Sequence, residues 1–353
     1  MNIVARIPDH ISKYEGICKV FRDQKTLNAY NEVDQKDIRG YYIISGNCGH
    51  CSQYLHIHLA KDGYSFKIPD DGPNKSVVYI RQSRILSNSL DKSLYRIHCK
   101  VKNTVIIDKI VNNLLSSSSI KTNETMKPYM PYTVSFKDFK YTSGTWIVKV
   151  DRKYPLDMTN SFIFDSKKVH QEVTAEIKRN LSIKSVDGNI IRGVNVSKYI
   201  LNPLTIDGKK CTYRCFVIIN SLNKPVLSDF CVPYTAKNKY SEGCYNNRDI
   251  HITSLATTDK LIVERDEKIM SCIRRVCNPL LKEISNYNII PYNESKNGYK
   301  IVAVDVLIDK DYNAYMLRIY INSMFGSIGK EGIEQFEEAF SEWEYREGVK
   351  PLL

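Results

Sequence analysis

The sequence predicts an α+β protein in two parts, a smaller β-rich domain over residues 1–120 and a larger mixed domain over 125–353. Three observations carry this expectation. Short β-branched and aromatic runs fill the first part, a serine-rich break follows at Ser116-Ser117-Ser118-Ser119, and strand-like runs then alternate with helical periodicity and close on two paired strands.

In the first part, the strand-like runs are Gly40-Tyr41-Tyr42-Ile43-Ile44-Ser45, Tyr54-Leu55-His56-Ile57-His58-Leu59, Ser76-Val77-Val78-Tyr79-Ile80-Arg81 and Tyr95-Arg96-Ile97-His98-Cys99-Lys100-Val101. Asp70-Asp71-Gly72-Pro73-Asn74 between them is turn chemistry. The polar stretch over 113–124 has too little apolar content to pack and reads as the linker.

In the second part, Thr145-Trp146-Ile147-Val148-Lys149-Val150 has the composition of a buried strand, and Ser166 can cap a helix with Val169, Val173 and Ile177 on one face. Arg214-Cys215-Phe216-Val217-Ile218-Ile219 is a further apolar strand. A helix over 265–285 carries Ile269, Ile273, Val276, Leu280 and Ile284 at helical spacing. Pro279 is expected to kink or interrupt it, because proline lacks the amide donor and crowds the preceding turn. The runs 301–308 and 314–321 form a hairpin around Asp309-Lys310-Asp311-Tyr312-Asn313. The last helix places Ile333, Phe336, Phe340 and Trp343 on one stripe among glutamates, a pattern that favours packing on its own domain.

Hydrophobic residues at 42% and charged residues at 25% exclude wholesale disorder in a chain of 353 residues. The net charge of +12 draws polyanions such as nucleic acid, acidic protein tails or anionic headgroups without choosing among them. No stretch approaches the roughly 18 apolar residues of a membrane span. The N-terminus lacks a signal-peptide core and the ten cysteines are scattered, so the expectation is an intracellular protein, cytoplasmic or nuclear, with reduced thiols.

Cys48-Gly49-His50-Cys51 offers two thiols at ligand spacing. On a strand, His56 and His58 would share one face, and Cys99 could add a third thiolate. These five residues, Cys48, Cys51, His56, His58 and Cys99, form a candidate zinc set, against the alternative of free thiols and a surface histidine pair. A second Cys-x-x-Cys is missing.

Three stretches then resemble the tubulin-tyrosine-ligase-like family of the ATP-grasp superfamily. Trp146-Ile147-Val148-Lys149 is similar to the strand that ends in a nucleotide lysine. Residues 196–210, with Ser197-Lys198-Tyr199-Ile200 at their start, are similar to the hinge strand and its following turn, with Arg214 where the family keeps an arginine. His251-Ile252-Thr253 resembles the His-Leu-Thr element, and Val304-Asp305-Val306-Leu307-Ile308-Asp309 the metal-bearing strand. The resemblance spans roughly 130–322 and implies an ATP-grasp-like fold for the larger domain. It further implies Lys149 and Lys198 as nucleotide lysines, Tyr199 and Ile200 as the adenine edge, Arg214 as a phosphate contact and Asp305 as a magnesium ligand.

The chain departs from that pattern in several places. The hinge glutamine is Ser197, the aspartate two before the arginine is Thr212, and the next strand's arginine falls on Asp229, which would repel phosphate. The last strand's metal-binding glutamate and asparagine align with Arg318 and Tyr320. The loop after Lys149 has no glycine through Met158, although close backbone approach to phosphate favours one. Asp305 could equally pair with Arg318 or Arg214, and Lys149 and Lys198 could reach solvent. Together these imply a catalytically inactive relative that serves as a binding or scaffolding module for a protein partner. No resident cofactor is then expected, with ATP and magnesium only if nucleotide binding is retained. The alternatives are an active ATP-dependent carboxylate–amine ligase modifying a protein acceptor, with Asp305 helped by Asp309, and a basic nucleic-acid-binding protein.

Overall fold

A computed structural model describes residues 24–32, 38–45, 52–65, 77–81, 124–136, 138–139, 144–152, 161–165, 175, 191–220, 224–253, 258, 260–286, 299–320 and 331–353. Helices and sheets are mixed throughout, consistent with an α+β protein. The expected helix after Ser166, the strand at 95–101 and the linker at 113–124 lie largely outside these residues.

The N-terminal part contains α1 (Gln24–Asn31), β1 (Gly40–Ser45), α2 (Ser52–Lys61), β2 (Tyr64–Ser65) and β3 (Val77–Arg81). Its sheet has the order β2-β1-β3 and both pairings are parallel. Parallel neighbours need a crossover, which α2 supplies between β1 and β2. The strand expected at Tyr54–Leu59 is therefore a helix, and the described N-terminal residues are mixed α/β. The alternation of apolar residues and histidines imitates a period of two, but Leu55 and Leu59, four apart, form the buried stripe with Tyr42.

A small antiparallel sheet follows, in the order β4-β7-β5-β6, built from β4 (Thr133–Ser135), β5 (Thr145–Arg152), β6 (Ser161–Asp165) and β7 (Ile191–Lys198). Phe139, Trp146, Val148, Phe164 and Val196 form its core.

The large sheet is centred on β9 (Lys209–Asn220). On one side β12 (Tyr299–Ile308) pairs with β9 and with β13 (Ala314–Tyr320), and β8 (Thr205–Ile206), β10 (Val226–Leu227) and β11 (Val232–Lys239) also pair with β9, all antiparallel. β8 enters β9 through Asp207-Gly208, whose φ values of 52° and 75° are both positive. This two-residue turn suits the twist of antiparallel strands and sets the register of β9.

A short helix, α3 (Arg248–His251), follows β11, and one face of this sheet packs α4 (Glu267–Asn286) through Ile269, Ile273, Val276, Leu280 and Ile284, the expected stripe. Asp266 caps that helix by accepting the Ile269 amide at 3.0 Å. The helix runs on past Pro279, so the expected interruption is absent; the packed stripe on both sides of the proline holds the helix together. The other face packs α5 (Ile333–Glu344), whose Phe336, Phe340 and Trp343 meet Phe216 and Phe230. The stripe thus packs on the chain's own sheet, as expected.

The segment after α5 also holds the N-terminal part. Tyr345 and Val349 share a core with Tyr42, Leu55 and Leu59. The Tyr345 hydroxyl donates to Asp62, and the His58 ring stacks on Tyr345 at 5.4 Å. No helix among the described residues is long and apolar enough to cross a membrane.

Candidate functional site at the junction of the two sheets

The large sheet meets the small one where β7 runs into β8. The Lys198 amide donates to the Tyr132 carbonyl at 2.8 Å and the Tyr199 amide to the Thr145 carbonyl at 2.9 Å, so the backbone of this segment is fixed by the small sheet. From there the Tyr199 side chain reaches the large sheet. Lys198 itself is exposed and Ile200 half-buried. Lys149 lies on β5 opposite Asn195 and Ser161, but its side chain is outside the described set. Ser197, at the hinge-glutamine position, is buried against Thr133, their hydroxyls 2.9 Å apart.

Side chains alternate along β9, so Lys210, Thr212 and Arg214 share the face turned to the junction. The Lys210 Nζ donates to the Tyr199 hydroxyl at 2.8 Å, and that hydroxyl is 2.8 Å from the His251 Nδ1. The His251 Nε2 lies 3.1 Å from the Cys244 carbonyl, which can only accept. Nε2 therefore carries the proton, Nδ1 accepts from Tyr199, and Tyr199 accepts from Lys210. Burial pulls the His251 pKa down, the Cys244 carbonyl opposes that and Lys210 adds to it, in keeping with a neutral ring. Burial raises the Tyr199 pKa, so the phenol stays protonated. Next along the strand, the Thr212 and Thr253 hydroxyls are 2.5 Å apart.

Arg214 and Asp305 stand opposite each other on β9 and β12. The Arg214 Nε donates to the Asp305 Oδ1 at 2.7 Å and an Arg214 Nη to the Oδ2 at 3.0 Å. Both side chains are 13% exposed. Arg214 also lies over the rings of Tyr234 and Tyr320, 4.6 and 4.3 Å from their centroids. Burial opposes its charge, and Asp305 outweighs that, holding the guanidinium pKa above its usual value.

Magnesium needs several hard oxygen ligands in near-octahedral array. Both Asp305 oxygens already accept from Arg214. Asp309 accepts from the Asp311 and Asn313 amides at 2.9 and 2.8 Å and from the Asn313 side chain at 3.1 Å, which fixes the β12–β13 turn. Four residues along a strand, it stands roughly 13 Å from Asp305 and cannot share an ion with it. The described side chains thus do not fit a magnesium ion at this place.

Asp229 is not part of the junction. It is exposed between β10 and β11 and pairs with Arg346 at 3.4 Å, so the expected repulsion of phosphate finds no basis there. The premise of the zinc set also fails. On a helix, residues two apart point roughly 200° from each other, and His56 turns to the Tyr42 hydroxyl at 2.7 Å while His58 stacks on Tyr345. Burial lowers the His56 pKa to about 3. Cys48, Cys51 and Cys99 lie outside the described residues, among which no group of three potential ligands gathers.

Tyr199, meeting Lys210, and the Arg214–Asp305 pair thus lie along one face of β9, whereas nothing brings the exposed Lys198 side chain to them among the described contacts. Sequence reasoning missed Lys210 as a member. Its signal was its place four residues before Arg214, which puts both on one face of the same strand.

Residues 140–261 match the tubulin-tyrosine ligase family. A Schizosaccharomyces pombe protein described as a probable tubulin–tyrosine ligase is 22% identical over 165 residues, covering 43% of this chain and 41% of that relative. The match therefore spans less than half the length of the relative. The family match includes Lys210, Arg214 and His251 but ends before Asp305 and Arg318.

Proposed function

We propose, taking as premise that the chain is a divergent member of the tubulin-tyrosine-ligase-like family, that it is a non-catalytic ATP-grasp relative acting as a binding module for a protein partner. The observation that carries this reading is the closed pair at Arg214 and Asp305. Phosphoryl transfer depends on metal ions that bridge the phosphates and neutralise developing charge. The carboxylate that would hold such an ion gives both oxygens to Arg214 instead, and Arg318 stands opposite it on the next strand. A metal would have to displace a guanidinium with two charge-assisted hydrogen bonds and then sit beside uncompensated positive charge.

The ligase reading rests on the cluster of Lys210, Tyr199 and His251, which joins the two sheets, and on Arg214, four residues beyond Lys210 on the same face of β9. Incubating the full chain with millimolar Mg-ATP, free amino acids and acidic carboxyl-terminal peptides separates the two readings. The non-catalytic reading expects no acceptor-dependent ADP release. Release that disappears in Asp305→Ala would establish the ligase instead.

A further inference from the structure

The outer side of α4 carries positive charge in one line. Lys268, Arg275 and Lys282 are exposed and stand seven residues apart. Seven residues make nearly two turns, so the three cations form a row with steps of about 10.5 Å and a length of about 21 Å. Ser271, Asn278 and Ser285, also exposed and also seven apart, run beside it. The opposite side of the helix packs on the sheet face that holds Tyr213, Cys215 and Val217. Lys210, Thr212 and Arg214 lie on the other face, so the row is turned away from the junction.

Little negative charge opposes this row among the described residues. On α4 itself, Glu267 pairs with Arg274, and the half-buried Glu283 falls, in projection down the axis, between the buried Cys272 and Val276. Before the helix, Glu264 accepts the Asp266 amide at 2.7 Å and Asp266 the Ile269 amide at 3.0 Å. In the β12–β13 turn, Lys310 and Asp311 offset one another in charge. Tyr312 of the same turn, in the left-handed backbone region at φ 61°, holds two of the three cations in place. Its ring lies under Lys268, 3.4 Å from Nζ to the centroid, and its carbonyl accepts from Arg275. A guanidinium has five donors, so one given to a carbonyl leaves others for a second acceptor. Side chains placed before a partner arrives lose less freedom on binding.

We infer that the Lys268–Arg275–Lys282 row is a docking surface for double-stranded nucleic acid, which it grips by the phosphates without reading sequence. Lysine, arginine, serine and asparagine are residue types that contact phosphate oxygens, and this face presents all four. A protein partner is anchored by an apolar or aromatic centre inside a polar rim. The outer side of α4 has no aromatic residue, and its apolar Leu281 is half-buried. The missing aromatic side chains also tell against single strands, whose bases stack on such rings. A helix lying on a membrane turns apolar side chains outward, whereas α4 turns them to the sheet. The net charge of +12 draws the same partner from a distance. This surface goes beyond the non-catalytic reading and does not depend on it.

The test follows the anisotropy of a fluorescein-labelled DNA duplex of about 20 base pairs, longer than the roughly six that the row spans at 3.4 Å each. The full chain is titrated into it in EDTA at several salt concentrations. Three phosphate contacts contribute a slope of about −2.7 in log affinity against log salt, or about a fortyfold fall from roughly 50 to 200 mM. The triple variant Lys268→Gln, Arg275→Gln, Lys282→Gln is expected to lose that contribution, and Lys282→Gln alone about 0.9 of it. Lys237→Gln, Lys239→Gln, Lys260→Gln removes the same charge from exposed places on other elements and should leave most of the slope. An equal loss in the two triple variants overturns the proposal, because it marks a general basic field. Duplex binding that is absent, or unchanged in the α4 triple variant, overturns it too. Tighter binding of polyglutamate or of phosphatidylserine vesicles through the same three residues would assign the row to an acidic peptide or a membrane instead. If the α4 triple variant does not fold, the slope of Lys282→Gln decides. None of these results bears on acceptor-dependent ADP release, which tests the non-catalytic reading separately.

Discussion

Replacing Asp305 by asparagine is expected to destabilise the fold by about 3 kcal/mol, the lower end of what removing one partner of a buried ion pair costs. The carboxylate accepts from Arg214 at 2.7 and 3.0 Å, and each side chain is 13% exposed. Asparagine keeps the volume and one acceptor oxygen, but its amide turns a donor toward a donor. Two charge-assisted bonds of roughly 1.5–3 kcal/mol each become one weaker bond. The rings of Tyr234 and Tyr320 remain beside the guanidinium and soften the loss. Urea unfolding followed by tryptophan fluorescence reads the effect, because Trp343 lies in the core beneath the same sheet. The double change Asp305→Leu with Arg214→Met should recover most of the stability, since well-packed apolar residues often replace a buried pair without loss. A neutral or stabilising Asp305→Asn would refute the reasoning. If it also abolished stabilisation by Mg-ATP, Asp305 would be a metal ligand rather than the counter-ion of Arg214.

Two further outcomes follow from the C-terminal helix. Burial raises the Glu344 carboxyl to about 7, with the hydrogen bond from Tyr299 opposing. The folded chain therefore holds this proton more tightly than the unfolded chain, so the group costs nothing near pH 4 and progressively more as pH rises to 7 and beyond, about 3 kcal/mol in full. Glu344→Gln should match the parent at pH 4 and exceed its urea-measured stability at pH 8; equal stability at both would show that the carboxyl is not strained by burial. At Gly332 the φ is 80° and an added Cβ would stand 2.0 Å from the Leu261 carbonyl oxygen, a backbone atom that cannot swing aside. Gly332→Ala should cost more than the ~1–2 kcal/mol of the left-handed conformation alone, and a melting temperature equal to the parent's would show that the entry of α5 is free to shift.

Much of the fold was legible because long segments carry one period each. The α4 and α5 stripes, the apolar runs of β5 and β9 and the polar turn of the β12–β13 hairpin each repeat a pattern that few other arrangements would bury. The misreadings share a cause. Tyr54–Leu59 alternates and also places Leu55 and Leu59 four apart, so six residues fit both periods, and the parallel pairing of β1 with its neighbours, made only in three dimensions, selects the helix. Pro279 carries a local penalty that the buried stripe on either side outweighs.

The site was legible to a different depth. That Lys210, Thr212 and Arg214 share a face follows from the strand alone. What Asp305 does follows from none of its neighbours in the chain, because its partner is 91 residues away. A shift of one residue in the pairing of β9 with β12 would send Asp305 to the α4 side of the sheet, among Cys215, Val217 and Ile273. The Asp207-Gly208 turn fixes where β9 begins, and the turn held by Asp309 fixes where β12 ends. Both turns stand outside the residues that carry the chemistry. A sequence can therefore keep an aspartate and an arginine at ligase positions while the register between them decides whether they serve a metal or each other.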